Sequence, residues 1–453
     1  MSRMEGMIIL GGGIAGLSVG YYARKKALPF TICEGDDRLG GNTVTFRHGD
    51  FLFDSGAHRV HDRNPAVTEE IKGMLGEDLK RVDVPSQIYW RGKFVDFPLS
   101  PLNLMKNLGF GGLRKAVVDM ARGRLSPSGS LGTFEDYALK TYGRHIAEAF
   151  LLNYSEKLWG LPCRRLAASI AGKRLKGLDL RTFLVEALLG RMAKVDHLEG
   201  SSFYYPTGGI GKITEAMARF CEGSNVLLSS KVTRIFATSG KIGAVEINGR
   251  ESIETTSKTV VSTLPLTTLV EIMRPSPPEQ ILSLTRGMRF RSLILVVFFL
   301  DRRSVTANAT VYFPDKKFPF TRVYEPRNRD GSMSPPEKTS LVAEIPCQEG
   351  DESWKMRDGE MIRLVRSCFL EIGWIREEEI VDTEVKRLPN AYPVLEAGVE
   401  EKVRTIATFL APLENLRLGG RNGKFRYSWI HDIMQSGREM VDTLCEENFK
   451  DCS

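Results

Sequence analysis

The sequence predicts an α/β protein: a dinucleotide-binding sheet domain interleaved with a helical region and a second domain built on a mixed sheet. Three observations carry this expectation. Residues 7–10 are all apolar and run directly into Gly11-Gly12-Gly13-Ile14-Ala15-Gly16, a G-x-G-x-x-G turn with a helical pattern behind it. A second apolar run, residues 30–33, ends on the acid Glu34. Strand patterns return from Tyr205 onward, beyond a long stretch with helical periodicity.

Each position of the N-terminal motif has a physical task. Gly11 permits the tight turn, Gly13 lets backbone approach a pyrophosphate, and Gly16 lets the helix pack against the strand. The backbone N–H groups at Ile14 and Ala15 then open a helix toward the phosphates. Glu34 lies 18 residues beyond Gly16. A carboxylate there accepts both ribose hydroxyls of an adenosine and repels a 2′-phosphate. Arg38-Leu39-Gly40-Gly41-Asn42 follows, with two more glycines for close backbone approach. This Rossmann-like combination resembles the FAD-binding start of the glutathione-reductase-like flavoproteins, and the resemblance implies FAD.

Composition bounds the rest. At 453 residues the chain exceeds one ordinary core. Its 42% hydrophobic and 26% charged residues are those of a globular protein. A net charge of +7 suits an anionic substrate or a membrane surface, but is too modest for a nucleic-acid binder. Seven cysteines are scattered without a C-x-x-C pair, which reads as reduced thiols in a cytoplasmic protein. No Cys/His cluster has metal-ligand spacing, so no metal is expected. The nucleotide-binding strand begins so early that no cleaved signal is expected before it. The longest apolar run, residues 293–300, is too short to span a bilayer and reads as a buried strand.

Along the chain, residues 1–62, 205–286 and 413–445 are expected to build a discontinuous nucleotide-binding domain. Residues 63–204 form the helical, substrate-lining region, with amphipathic helices over 133–152 and 181–194 and a strand-like stretch at 87–97. Residues 104–125 mix Lys106, Arg114, Lys115, Arg122 and Arg124 with apolar positions. A membrane-surface helix there is the less favoured reading, because Gly109, Gly111, Gly112 and Gly123 weaken a continuous helix. Residues 287–412 carry the second sheet, with strands expected at 292–300, 309–313 and 340–345. A final strand, Gly-rich turn and helix occupy 416–445.

Blocks spread over nearly the whole chain resemble the amine oxidase and protoporphyrinogen oxidase-like flavoproteins, and also UDP-galactopyranose mutase. Beyond the N-terminal blocks they are Phe53-Asp54-Ser55-Gly56-Ala57-His58, Glu156-Lys157-Leu158-Trp159-Gly160, residues 205–211, Thr263-Leu264-Pro265-Leu266, residues 320–325 and 390–394, and residues 419–427. The resemblance implies that Val232 meets the adenine through its backbone. It further implies that Gly56, Ala57 and His58 pass beside the flavin, and that Gly420 and Arg421 approach the pyrophosphate or ribityl chain. His58 reads equally well as a buried structural histidine, and Trp159 as core packing or as a wall of the substrate site.

Two reactions fit this scaffold. In the favoured one, an FAD-dependent oxidoreductase takes a hydride from a small organic substrate at flavin N5, which demands a dry, aligned pocket more than acid–base groups. In the alternative, a redox-neutral enzyme similar to UDP-galactopyranose mutase acts on a nucleotide-sugar through the reduced flavin. That reading implies Arg174, Arg322, Tyr392, Arg421 and Tyr427 as substrate-binding groups, since guanidinium forks suit phosphate oxygens. The catalytic set expected across both readings is His58, Trp159, Arg322, Tyr392 and Tyr427. Simpler roles stand beside these: an Arg322–Glu325 pair on one strand, Arg421 holding only FAD, and Arg426 as a surface charge. A flavoprotein serving purely as a binding module is the least favoured reading.

Overall fold

A five-stranded parallel sheet carries the N-terminal motif, with Leu416–Leu418, Thr259–Ser262, Met7–Leu10, Phe30–Cys33 and Asn225–Leu227 in that order. The computed structural model of the chain describes residues 6–97, 101–125, 132–171 and 202–450. The two central strands are buried at every position because both faces of the sheet are covered. Met7 and Ile9 face the helices Ile14–Lys25, Gly211–Phe220 and Ile430–Lys450. Ile8 and Leu10 face a four-stranded layer that contains Val232–Thr238 and Lys241–Ile247. The two-residue side-chain period of a strand thus divides one tetrapeptide between two cores.

The second sheet has seven strands: Ile380–Pro393, Phe290–Leu300, Thr339–Cys347, Arg322–Tyr324, Thr310–Tyr312, Ser86–Trp90 and Lys93–Phe97. Phe290–Leu300 is sandwiched between two antiparallel neighbours and is buried at all but its first residue. Ile294, Val296, Phe298 and Leu300 join an aromatic core with Phe313 and Phe369. Leu293, Leu295, Val297 and Phe299 pack on the opposite side against Phe51, Phe53 and Tyr324. The hairpin Thr45–His48/Phe51–Asp54 is therefore clamped onto this sheet just before residues 55–58.

Several elements depart from the sequence expectation. The stretch at 87–97 is a hairpin, turned by Arg91 and Gly92, both at positive φ. It extends the seven-stranded sheet by parallel pairing with Thr310–Tyr312, although it comes from the region read as helical. Ile380–Pro393 was not expected as a strand. Asp382, Glu384, Lys386 and Arg387 break its apolar pattern because it is an edge strand with much of its surface half-exposed. The helix Pro101–Leu125 breaks at Gly109, at φ 71°. Helix Phe134–Ile146 starts from the Thr133 cap and is interrupted at Gly143, where a Cβ would lie 2.7 Å from the Asp119 backbone. The helix expected at 181–194 lies outside the described residues, as does Arg174.

Among the described residues no helix is long and apolar enough to cross a membrane, and no group of His, Cys, Asp and Glu is arranged to hold a metal ion. The described cysteines are unpaired, and all but Cys445 are buried.

Candidate active site

The glycines of the N-terminal turn are required by contact. A Cβ at Gly16 would overlap the Gly11 carbonyl oxygen, and one at Gly11, at φ 101°, would meet Thr263 Oγ1 at 2.5 Å. Gly13 caps helix Ile14–Lys25 without a side-chain cap bond, and no acid stands in the first turn. The start of this helix is therefore bare backbone with a positive dipole end. Gly40 donates its N–H to the Gly12 carbonyl at 2.9 Å, laying the Arg38–Asn42 turn against the first. Arg38 holds that turn by donating to the Gly41 carbonyl at 3.1 Å, and Asn42 reaches across to the Pro389 carbonyl at 3.2 Å. From the far end of the chain, Gly420 arrives at φ 76°, where a Cβ would stand 2.7 Å from that of Ala15.

Glu34 closes the second strand with its carboxylate accepting the Gly12 N–H at 2.5 Å and the Asp36 N–H at 2.9 Å. Its own carbonyl accepts the Ser230 N–H at 2.7 Å. Val232, buried and two residues further on, starts its strand beside this acid. Backbone cradle, acid and neighbouring strand fit the pyrophosphate and ribose of a dinucleotide.

Residues 54–58 are anchored from beneath. Asp54 is fully buried and accepts the Tyr205 hydroxyl at 2.5 Å, the Thr45 hydroxyl at 2.7 Å and the Ile210 N–H at 3.0 Å. The Tyr324 hydroxyl donates to the Asp54 carbonyl at 2.6 Å. Ser55 Oγ donates to the Asn42 carbonyl at 2.6 Å, so it accepts from His58 Nε2 at 3.0 Å. Burial, with the charges of Arg421, Arg322 and Arg329, pushes His58 down to about 3. Its imidazole is neutral at physiological pH.

Beyond this segment opens a cavity lined by Ala57, His58, Arg59, His61, Tyr312, Arg322, Tyr392, Arg421, Tyr427, Trp429 and Ile430. Arg322 is paired through Nε with Glu344 and donates from Nη2 to the Tyr392 hydroxyl at 3.2 Å. Burial opposes its charge, but Glu344 more than offsets this and holds the guanidinium well above its ordinary range. Arg421 donates to the Ser428 carbonyl at 2.6 and 3.0 Å and to the Ala391 carbonyl at 3.1 Å. Its guanidinium also lies 5.4 Å from the Tyr392 ring and 5.2 Å from the Tyr427 ring. Those two rings are nearly parallel, with centroids 6.2 Å apart.

The Glu156–Gly160 segment sets the wall behind them. Lys157 donates to three carbonyls, of Phe313, Asp315 and Phe320, at 2.7–2.8 Å. Gly160, at φ 69°, ends the helix against the buried Arg291 guanidinium. Trp159 between them is buried and meets both tyrosine rings edge-on, at 6.3 and 6.1 Å.

A family profile described as flavin containing amine oxidoreductase matches residues 14–445, nearly the whole chain. The chain belongs to this family. As a member of it, the chain is a flavoprotein. Among curated relatives, protoporphyrinogen oxidase 1 of Arabidopsis thaliana chloroplasts is 25% identical over 296 residues, covering 59% of this chain and 54% of that protein. The match thus spans about half the length of that relative. A Dictyostelium discoideum protein named probable flavin-containing monoamine oxidase A is 22% identical, covering 83% of this chain and 85% of its own. Among solved structures, reduced UDP-galactopyranose mutase superposes with a TM-score of 0.83 at 17% identity, covering 98% of this chain and 96% of that one. Cyclohexylamine oxidase from Brevibacterium oxydans gives 0.68 at 14% identity, covering 98% and 99%. At such identities these structures share the fold.

Within this flavoprotein, His58, Arg322, Tyr392, Arg421 and Tyr427 converge on one cavity, while Trp159 stands behind its tyrosines rather than on its lining. The alternative pairing of Arg322 with Glu325 does not occur. Glu325 instead accepts the Val305 and Thr306 N–H groups and the Thr339 hydroxyl. Arg426 is exposed. Sequence reasoning missed Arg59, Tyr312, Trp429 and Glu344. Only Glu344 carried a usable signal: a lone acid inside an apolar strand must be paired.

Proposed function

We propose that this flavoenzyme oxidises a small organic substrate carrying an anionic group. The observation that supports this most is the character of the cavity beside residues 56–58. Arg59, Arg322 and Arg421 line it together with two histidines, and among the described residues no carboxylate does. Glu344, behind Arg322, offsets one of those charges. Such a field favours a carboxylate or phosphate and disfavours a protonated amine.

FAD, held by the Gly11–Gly16 turn, Glu34, Gly40, Gly41, Val232 and Gly420, supplies the hydride-accepting centre when bound. The chain's own residues bind, orient and keep out water. Arg322 offers its outward edge to the anion, with Tyr392 held against it. Tyr427 and Trp429 supply apolar ring surface that excludes water from the reacting carbon. His58, neutral and bonded to Ser55, orients without delivering a proton. The same guanidinium and tyrosine set supports a second reading, redox-neutral rearrangement of a nucleotide-sugar, because a diphosphate suits paired guanidinium groups.

Anaerobic titration of the FAD-loaded protein with amines, porphyrinogens and UDP-sugars tests both. Flavin bleaching by an anionic substrate, reversed by an added acceptor, is the expected outcome. Conversion of a UDP-sugar only after prior reduction, with no net reductant consumed, would replace it with the second reading. Bleaching by simple cationic amines alone would defeat the anionic assignment.

A further inference from the structure

Glu344 sits in a strand whose residues from Thr339 to Ile345 are all buried. Its two oxygens serve different partners. Oε1 accepts the Ala57 N–H at 2.6 Å, on the turn beneath the cavity. Oε2 takes Arg322 Nε in an ion pair, and Arg322 continues to the Tyr392 hydroxyl. Glu344 itself is absent from the cavity lining. One carboxylate therefore fixes both a backbone group at Ala57 and the edge that Arg322 turns to the cavity.

We propose that Glu344 is a positioning residue that ties the flavin-facing turn to the substrate-facing guanidinium and balances the charge of that guanidinium next to the flavin. The proposal rests on reading residues 56–58 as the flavin contact. Neutralising Glu344 leaves Arg322 uncompensated in a poorly screened site. A reduced flavin carries added negative charge, so the unbalanced cation makes reduction easier. Neutralising Arg322 instead leaves the buried carboxylate, which makes reduction harder. A residue with a purely structural role gives no reason for opposite signs.

The test is a dye-coupled reductive titration of the FAD-loaded wild type, Glu344→Gln, Arg322→Met and the double variant. All four should keep flavin, since none touches the pyrophosphate cradle. The midpoint potential should rise in Glu344→Gln, fall in Arg322→Met, and lie between the two in the double variant. An unshifted potential in flavin-loaded Glu344→Gln, or shifts of one sign in both single variants, overturns the proposal. Should Glu344→Gln fail to fold, Arg322→Met decides: an unchanged or raised potential overturns it. Wild-type protein that takes up no FAD would instead defeat the cofactor assignment, a separate outcome visible before any variant is measured.

Discussion

His58 shows how a single side chain takes its character from its surroundings. Burial and three guanidinium charges lower it to about 3, whereas an unfolded histidine binds its proton near pH 6.5. Between those values the unfolded chain binds more protons, so stability falls as the pH drops through 6.5 and keeps falling toward about 3. The slope from this one group is at most about 1.4 kcal/mol per pH unit, reduced by the partial access of its ring to the cavity. Urea unfolding at about pH 7.5 and about pH 5.5 should show a smaller loss for His58→Asn than for wild type. Equal losses would mean that His58 is not the proton sink. Gly16 offers a sharper case. Gly16→Val drives side-chain atoms into the Gly11 carbonyl, and should abolish flavin retention, measured as the ratio of flavin absorbance to protein. Full retention would show that the turn can open without losing the cofactor.

The hairpin Thr45–His48/Phe51–Asp54 depends on its neighbours for its shape. Its apolar side chains are clamped against Phe299 and Tyr324, and its last residue carries three hydrogen bonds into the 205–210 segment and the hairpin itself. Asp54→Ala leaves the Tyr205 hydroxyl and the Ile210 N–H buried without their acceptor. The cost is about 2–6 kcal/mol, at about 1–3 kcal/mol per unsatisfied group. Backbone amides of residues 54–58 should then exchange with deuterium faster than those of strand Met7–Leu10, which the change does not touch. Uniform acceleration would signal a global effect and remove the case for a local anchor.

At the scale of the molecule, the cofactor site is assembled from the two ends of the chain. The turn at Gly11–Gly16 and the turn at Gly419–Arg421 meet at Ala15 and Gly420, so a bound dinucleotide would hold both together. Ligand that binds only the folded state stabilises it by RT ln(1 + [L]/Kd), about 2.7 kcal/mol at 100 times Kd. FAD at that excess should raise the urea midpoint accordingly, while AMP, lacking the flavin half, should give less at equal concentration. No shift with FAD, and a protein that remains colourless, would contradict the cofactor assignment.

The nucleotide half was legible from sequence because its determinants are local. Gly11, Gly13, Gly16 and Glu34 stand within one strand–turn–helix–strand unit, and their spacing already encodes the geometry. The central strand Phe290–Leu300 was legible for a similar reason, since full burial leaves an unbroken apolar run. The edge strand Ile380–Pro393 was not, because its half-exposed surface breaks the apolar pattern. The Arg91-Gly92 hairpin left a strand signal but gave no hint of which sheet it joins. The charge pairing of the cavity was equally hidden. Arg322 has an acid three residues away in Glu325, yet its partner is Glu344, across the antiparallel register of adjacent strands. The sequence by itself determined the fold class and the nucleotide-binding turn, because short-range spacing dictates backbone shape, while FAD and the cavity side chains it named followed from a family resemblance. Only the tertiary structure decided which charges face one another, since residues distant in the chain become neighbours through sheet order and register alone.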